Sequence, residues 1–175
     1  MGKRKIMNIV FDDEICYESL LIFTSDFNNA IAKNRNVKLY FSSVGGIMNQ
    51  QKIMSQIVNN FPYEVEVYCD GFLLSAGIPF ILELRKDIPV NIGDDLVAMV
   101  HMPSIMLESR NTKKQSGFDK FFIDNDEIMC DRYLKPIEPI LTAKEIEIVK
   151  DGEDVMLDAD RFRELLKIHR EQGVV

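Results

Sequence analysis

Ser75, His101 and a group of carboxylates around residue 151 are the side chains whose types suit acyl-transfer chemistry. A serine hydroxyl is a weak nucleophile until a base removes its proton. An imidazole, with a pKa near neutrality, can take that proton and return it to a leaving group. His101 is one of two histidines in 175 residues and stands at the end of the apolar run Leu96 to Val100, directly before Met102-Pro103. The other, His169, falls in a polar C-terminal stretch and is expected at the surface. Ser75 lies between GFLL and Ala76-Gly77, where an apolar run is expected to enter a buried helix. A helix start favours developing negative charge, and the Ala76 N–H would donate to an oxyanion there. Gly45-Gly46 offers a further donor, because residues without a β-carbon permit left-handed angles and close backbone approach. Among Asp151, Glu153 and Asp154, one carboxylate could hold the imidazole tautomer. Each feature also has a plain structural reading: a turn, an N-cap, a satisfied histidine, a solvated charge run.

Hydrophobic periodicity supplies the elements that would position these groups. Strands are expected over Lys5–Val10, Val37–Ser42, Val65–Cys69 and Leu96–Val100, with a turn at Asp70-Gly71. Helical spacing covers Glu14–Ala32, Met48–Phe61 up to Pro62, and Leu74–Leu84, where Pro79 suits a first turn. Thr142–Lys150 reads as a helix with a Thr142/Glu145 capping box, and Asp158–Arg170 as the last helix. Alternating strands and helices imply an α/β fold with parallel strands and right-handed crossovers. The candidate residues then fall at strand ends, where such folds place ligands. Pro136 and Pro139 interrupt the pattern, and no element is assigned between His101 and Leu141.

The chain has the length of one domain, with 46% hydrophobic and 28% charged residues, an ordinary globular composition. Its net charge of −7, with Lys3, Arg4 and Lys5 as the only basic cluster, argues against nucleic-acid partners. Cys16, Cys69 and Cys130 are widely spaced and odd in number, with no Cys-x-x-Cys pair to suggest zinc or redox work, so free thiols are expected; no metal or organic cofactor is implied. No run of about 18 apolar residues occurs, and the basic start is interrupted by acids, so a soluble, cytoplasmic protein away from membranes is expected.

Taken together, the segments resemble the proteolytic subunit of the Clp protease, within the Clp protease/crotonase superfamily. That family has a serine-proline-glycine-glycine turn after a strand, and this chain has Ser43-Val44-Gly45-Gly46 after VKLYF. The family's strand, glycine and nucleophile serine are matched by Val65–Cys69, Gly71 and Ser75-Ala76-Gly77. Its methionine-isoleucine-histidine-glutamine-proline motif is matched at all but two places by Met99-Val100-His101-Met102-Pro103. The resemblance spans roughly residues 9–160, and Ser-Ala-Gly at the nucleophile points to a phage-type or divergent member.

The resemblance implies a single domain over 1–175, built from βαβ units in a right-handed spiral, with 104–140 a less regular insertion or oligomerisation segment. It implies an ATP-dependent serine endopeptidase with Ser75 as nucleophile, His101 as base, and the Gly46 and Ala76 N–H groups as oxyanion hole. The third member comes shortly before a strand and helix start, which Val155-Met156-Leu157-Asp158-Ala159 resembles. Ungapped alignment puts Lys150 at its place, a shift of one residue puts Asp151 there, and Asp154 is the alternative. The implied partners are unfolded polypeptides, further copies in a homo-oligomeric ring, and an AAA+ ATPase. Two other readings keep the fold: a catalytically impaired scaffold or partner subunit, and acyl-CoA chemistry of the crotonase type.

Overall fold

Apolar residues alternate along the first strands because each buries one face. The computed structural model describes residues 4–101 and 133–172. In β1 (Ile6–Asp12), Ile9 and Phe11 are buried while Ile6 and Val10 are exposed. In β2 (Asn36–Ser43), Val37, Leu39, Phe41 and Ser43 point inward. The strands are parallel, with Ile9 beside Leu39 and Leu39 beside Val67 of β3 (Val65–Leu74). The outward row is Val10, Tyr40 and Tyr68, and the two tyrosine rings stack 5.2 Å apart.

Parallel pairing requires long crossovers. Helix α1 (Tyr17–Ala32) makes the first and α2 (Met48–Asn59) the second. Cys16 caps α1: its Sγ accepts from the Ser19 N–H, and the Ser19 Oγ accepts from the Cys16 N–H. That cap explains why the helix starts three residues later than the apolar pattern from Glu14 suggests.

Helix α3 (Gly77–Leu82) sends Phe80 into an aromatic column. Phe80 stacks on Phe41 at 4.1 Å, Phe41 on Phe11 at 5.1 Å, and Phe23 of α1 meets Phe80 edge-on at 6.3 Å. Each such pair adds about 0.5–1.5 kcal/mol beyond area burial. The column therefore ties the short α3 to β1, β2 and α1.

The turn expected at Asp70-Gly71 is instead a bulge inside β3. Phe41 pairs with Cys69 but Ser43 pairs with Leu73, so β3 carries two extra residues. Gly71 takes φ +76°, and the Ser42 Oγ accepts from the Phe72 N–H at 3.3 Å. Turn-forming residues here re-aim a strand without ending it. Strand β4 (Val90–Ile92) pairs with β3 at Val67–Cys69, and β5 (Val97–Val100) pairs further along at Phe72–Leu74. The sheet order is β1-β2-β3-β5-β6, with β6 spanning Val155–Asp158. Helix α4 (Ala143–Lys150) has its Thr142/Glu145 capping box, and α5 (Ala159–Gln172) follows β6 directly.

The chain divides into two compact units, residues 1–100 with 156–175, and residues 101–155. The described part of the second unit comprises His101, a 3-10 turn at Glu138–Ile140 containing Pro139, α4, and the loop after it, around buried Tyr133, Leu134, Ile137 and Val149. Most of the insertion expected at 104–140, and Cys130, lie outside the described residues.

Candidate active site

In the first unit, β3 ends and α3 begins through a sharp elbow at Ser75. Its φ is +50°, the left-handed region that a residue with a β-carbon seldom enters. Both backbone groups of Ser75 are held there. Its N–H donates to the Met99 carbonyl of β5 at 2.9 Å, and its carbonyl accepts from the Ile78 N–H at 3.0 Å. A conformation costing about 1–3 kcal/mol persists only when its surroundings enforce it, and such residues cluster at functional sites. Ser75 is half-buried and Ala76 fully buried. Among the described residues, the Ala76 N–H meets no acceptor.

The glycine loop after β2 lies against this elbow. A β-carbon on Gly45 would come within 2.7 Å of the Leu74 carbonyl oxygen and of the Ser75 Cβ, and 3.4 Å of the Ala76 nitrogen. Gly45 and Gly46 adopt φ +91° and +138°. A β-carbon on Gly46 would collide with the Ile15 carbonyl. Ile15 brackets the loop: its N–H donates to the Gly45 carbonyl at 2.7 Å, and its carbonyl accepts from the Ile47 N–H at 2.8 Å. In a trans peptide C=O and N–H point oppositely. Because the Gly45 carbonyl faces Ile15, the Gly46 N–H faces away from it. Gly46 is exposed, and among the described residues its N–H meets no acceptor. Among the described residues, two backbone donors near the strained serine thus lack an acceptor, an arrangement suited to a developing oxyanion.

In the second unit, His101 Nδ1 lies 3.8 Å from Asp154 Oδ1. The His101 side chain is 31% exposed and that of Asp154 60%. The hydroxyl of buried Tyr133 is hydrogen-bonded to the His101 backbone; burial pushes the phenol pKa up, opposed by that bond, so Tyr133 stays neutral. Among Asp151, Glu153 and Asp154, the structure brings Asp154 to His101. The reason is the end of α4. The Gly152 N–H donates to the Val149 carbonyl at 3.0 Å and the Glu153 N–H to the Ile148 carbonyl at 3.1 Å, with Gly152 at φ +86°. This Schellman closure makes Asp151 the helix cap, its own N–H bonded to the Glu147 and Val149 carbonyls. Asp154 is the first carboxylate past the closure. Gly152 was the sequence signal for that helix end.

Other groups lie apart from this chemistry. His169 is half-buried, contrary to a surface position. Burial lowers its pKa, opposed by a hydrogen bond to the Leu82 backbone at the end of α3. Cys16 and Cys69 are free thiols, and burial pushes the Cys69 thiol pKa up, which keeps it neutral. Among the described residues, no helix is long and apolar enough to cross a membrane, and no three His, Cys, Asp or Glu side chains gather as a metal site. Sequence reasoning passed over Tyr133 and the bracket formed by Ile15.

No family model matches the chain, and no curated protein does. Among solved structures, a variant of ClpP1 from Listeria monocytogenes is similar, with a TM-score of 0.65 and 19% sequence identity over 90% of this chain and 86% of that one. The chain therefore has the α/β, Clp protease/crotonase-like fold that its motifs suggest.

Proposed function

We propose that this Clp-fold chain is a serine endopeptidase subunit. The observation that carries the reading is the left-handed Ser75 elbow, with the glycine loop packed against it and the Gly46 and Ala76 N–H groups meeting no acceptor among the described residues. Ser75 Oγ attacks the scissile carbonyl carbon while His101 Nε2 takes its proton. The carbonyl electron pair moves onto oxygen, where the Gly46 and Ala76 N–H groups stabilise it. The intermediate collapses, His101 returns the proton to the leaving amine, and a tetrahedral adduct with water then releases the acyl group. Asp154 is taken as the orienting acid because its Oδ1 lies 3.8 Å from His101 Nδ1, and the proton transfer is assigned to Nε2. Asp151, the nearer match by alignment, caps α4.

Unfolded polypeptides are the substrate class, a homo-oligomeric ring in the cytoplasm the working form, and an AAA+ ATPase the feeding partner. The fold shared with ClpP1 supports this setting. An active-site-directed fluorophosphonate is expected to label Ser75 in the purified assembly and to lose that labelling in His101→Ala. Failure of both labelling and peptide cleavage would refute the assignment. A non-catalytic scaffold is the second reading, favoured by the 3.8 Å between His101 and Asp154, longer than a hydrogen bond. It requires that the wild-type protein lack labelling while retaining assembly.

A further inference from the structure

Glycine's conformational freedom creates a difficulty at residues 45 and 46. Two successive glycines in left-handed conformations do not set the direction of the Gly46 N–H by themselves. An oxyanion donor is effective only when it is aimed before the charge develops. Each peptide plane leading to that N–H therefore needs an external restraint. The plane of residues 45 and 46 has one, the Ile15 N–H on the Gly45 carbonyl. The plane of residues 44 and 45 has the other. The Gly45 N–H donates to the Ser43 Oγ at 3.0 Å, and that hydroxyl donates to the Asp13 carbonyl at 2.8 Å.

Ser43 is not a loop serine turned to solvent. It closes the inward row Val37, Leu39, Phe41 on β2 and is 2% exposed. A buried hydroxyl is costly unless its hydrogen-bonding capacity is used, and here it both donates and accepts. Its Cβ lies 3.8 Å from the position of a β-carbon on Gly77, the first residue of α3. One side chain thus ties the β1–α1 connection to the glycine loop and sits beside the start of the helix following Ser75. An apolar residue of similar size would satisfy the packing, but only a hydroxyl can accept from Gly45 and donate to Asp13 together.

We propose that Ser43 is a positioning residue that aims the Gly46 N–H at the oxyanion. This rests on the serine peptidase reading, and the two can fail separately. The test compares hydrolysis of an activated peptide ester with that of its thiono analogue, in which sulfur replaces the carbonyl oxygen and accepts hydrogen bonds poorly. In Ser43→Ala, kcat on the oxo ester is expected to fall about 10–100-fold, less than the full loss of an oxyanion donor, with KM nearly unchanged. The thiono rate is expected to change little, so the oxo/thiono ratio falls with kcat. Ser43→Thr, which keeps the hydroxyl, is expected to retain the wild-type ratio. Ser43→Cys keeps the volume with a weak hydrogen-bonding group and is expected to lower the ratio even if Ser43→Ala does not fold. Equal losses on both esters, or no loss, would overturn the positioning role while leaving the peptidase reading intact. A wild-type protein inactive on both esters and unlabelled at Ser75 would overturn both.

Discussion

Replacing Ser75 by glycine removes the hydroxyl and also relieves a backbone penalty, whereas replacing it by alanine removes only the hydroxyl. At φ +50° the β-carbon of residue 75 costs about 1–2 kcal/mol relative to a right-handed conformation. Glycine escapes that cost but gains freedom in the unfolded chain, worth about 0.5–1 kcal/mol in the opposite direction. The net expectation is that Ser75→Gly is more stable than Ser75→Ala by about 0.5–1 kcal/mol. For a chain of this size that corresponds to about 1–4 °C in melting temperature. Both variants lose the hydroxyl, so any contribution from its own hydrogen bonding cancels between them. Thermal unfolding of the two proteins at one concentration and pH reads the difference directly. A Ser75→Gly protein less stable than Ser75→Ala would refute the claim that residue 75 is held under strain, whatever the protein's activity.

Two further outcomes follow from the second unit and the last helix. Asp154→Asn should lower kcat by about 100- to 10,000-fold, the upper figure being the loss seen when a buried orienting acid is made neutral. Asp151→Asn should leave kcat within about twofold, since it alters a helix cap and not the pair with His101; steady-state cleavage of a fluorogenic peptide separates them, and the reverse ranking would return the acid to Asp151. His169 has a folded pKa below its unfolded value, chiefly through burial, so its neutral form favours the folded state above the unfolded pKa. That contribution is lost as pH falls through the folded pKa. Melting temperature measured from pH 7.5 down to pH 5 should therefore drop less in His169→Asn than in the wild type.

Features that depend on neighbours along the chain were the readable ones. The Thr142/Glu145 capping box is complete within four residues, and it forms as written. The alternation of Ile9, Leu39 and Val67 needs no knowledge of the partner strand to announce a buried face. The motifs after β2 and β3 and at the end of β5 carried the fold, which the similarity to ClpP1 supports independently of them. What escaped depended on competition between local and tertiary forces. Asp70-Gly71 has the composition of a turn, but pairing on both sides of β3 keeps the strand running and absorbs the pair as a bulge. Strand β4 has three residues, too few for a period to register. Asp151 and Asp154 are only three residues apart in sequence, and the closure around Gly152 separates a helix cap from the carboxylate beside His101. The left-handed angle at Ser75 runs against the preference of any residue with a side chain, so no propensity could have announced it.

The two faces of the first three strands also have consequences for how such a chain can diversify. The inward row leads through Phe41 and Phe80 to α3 and the elbow, so substitutions there act on the core and on the Ser75 backbone at once. The outward row of Val10, Tyr40 and Tyr68 alternates with it residue by residue along the same strands. Its side chains point to the opposite side of the sheet from the aromatic column. Selection can therefore rewrite what the outer surface meets, one residue at a time, while the neighbouring position in the same strand keeps the elbow at Ser75 unchanged.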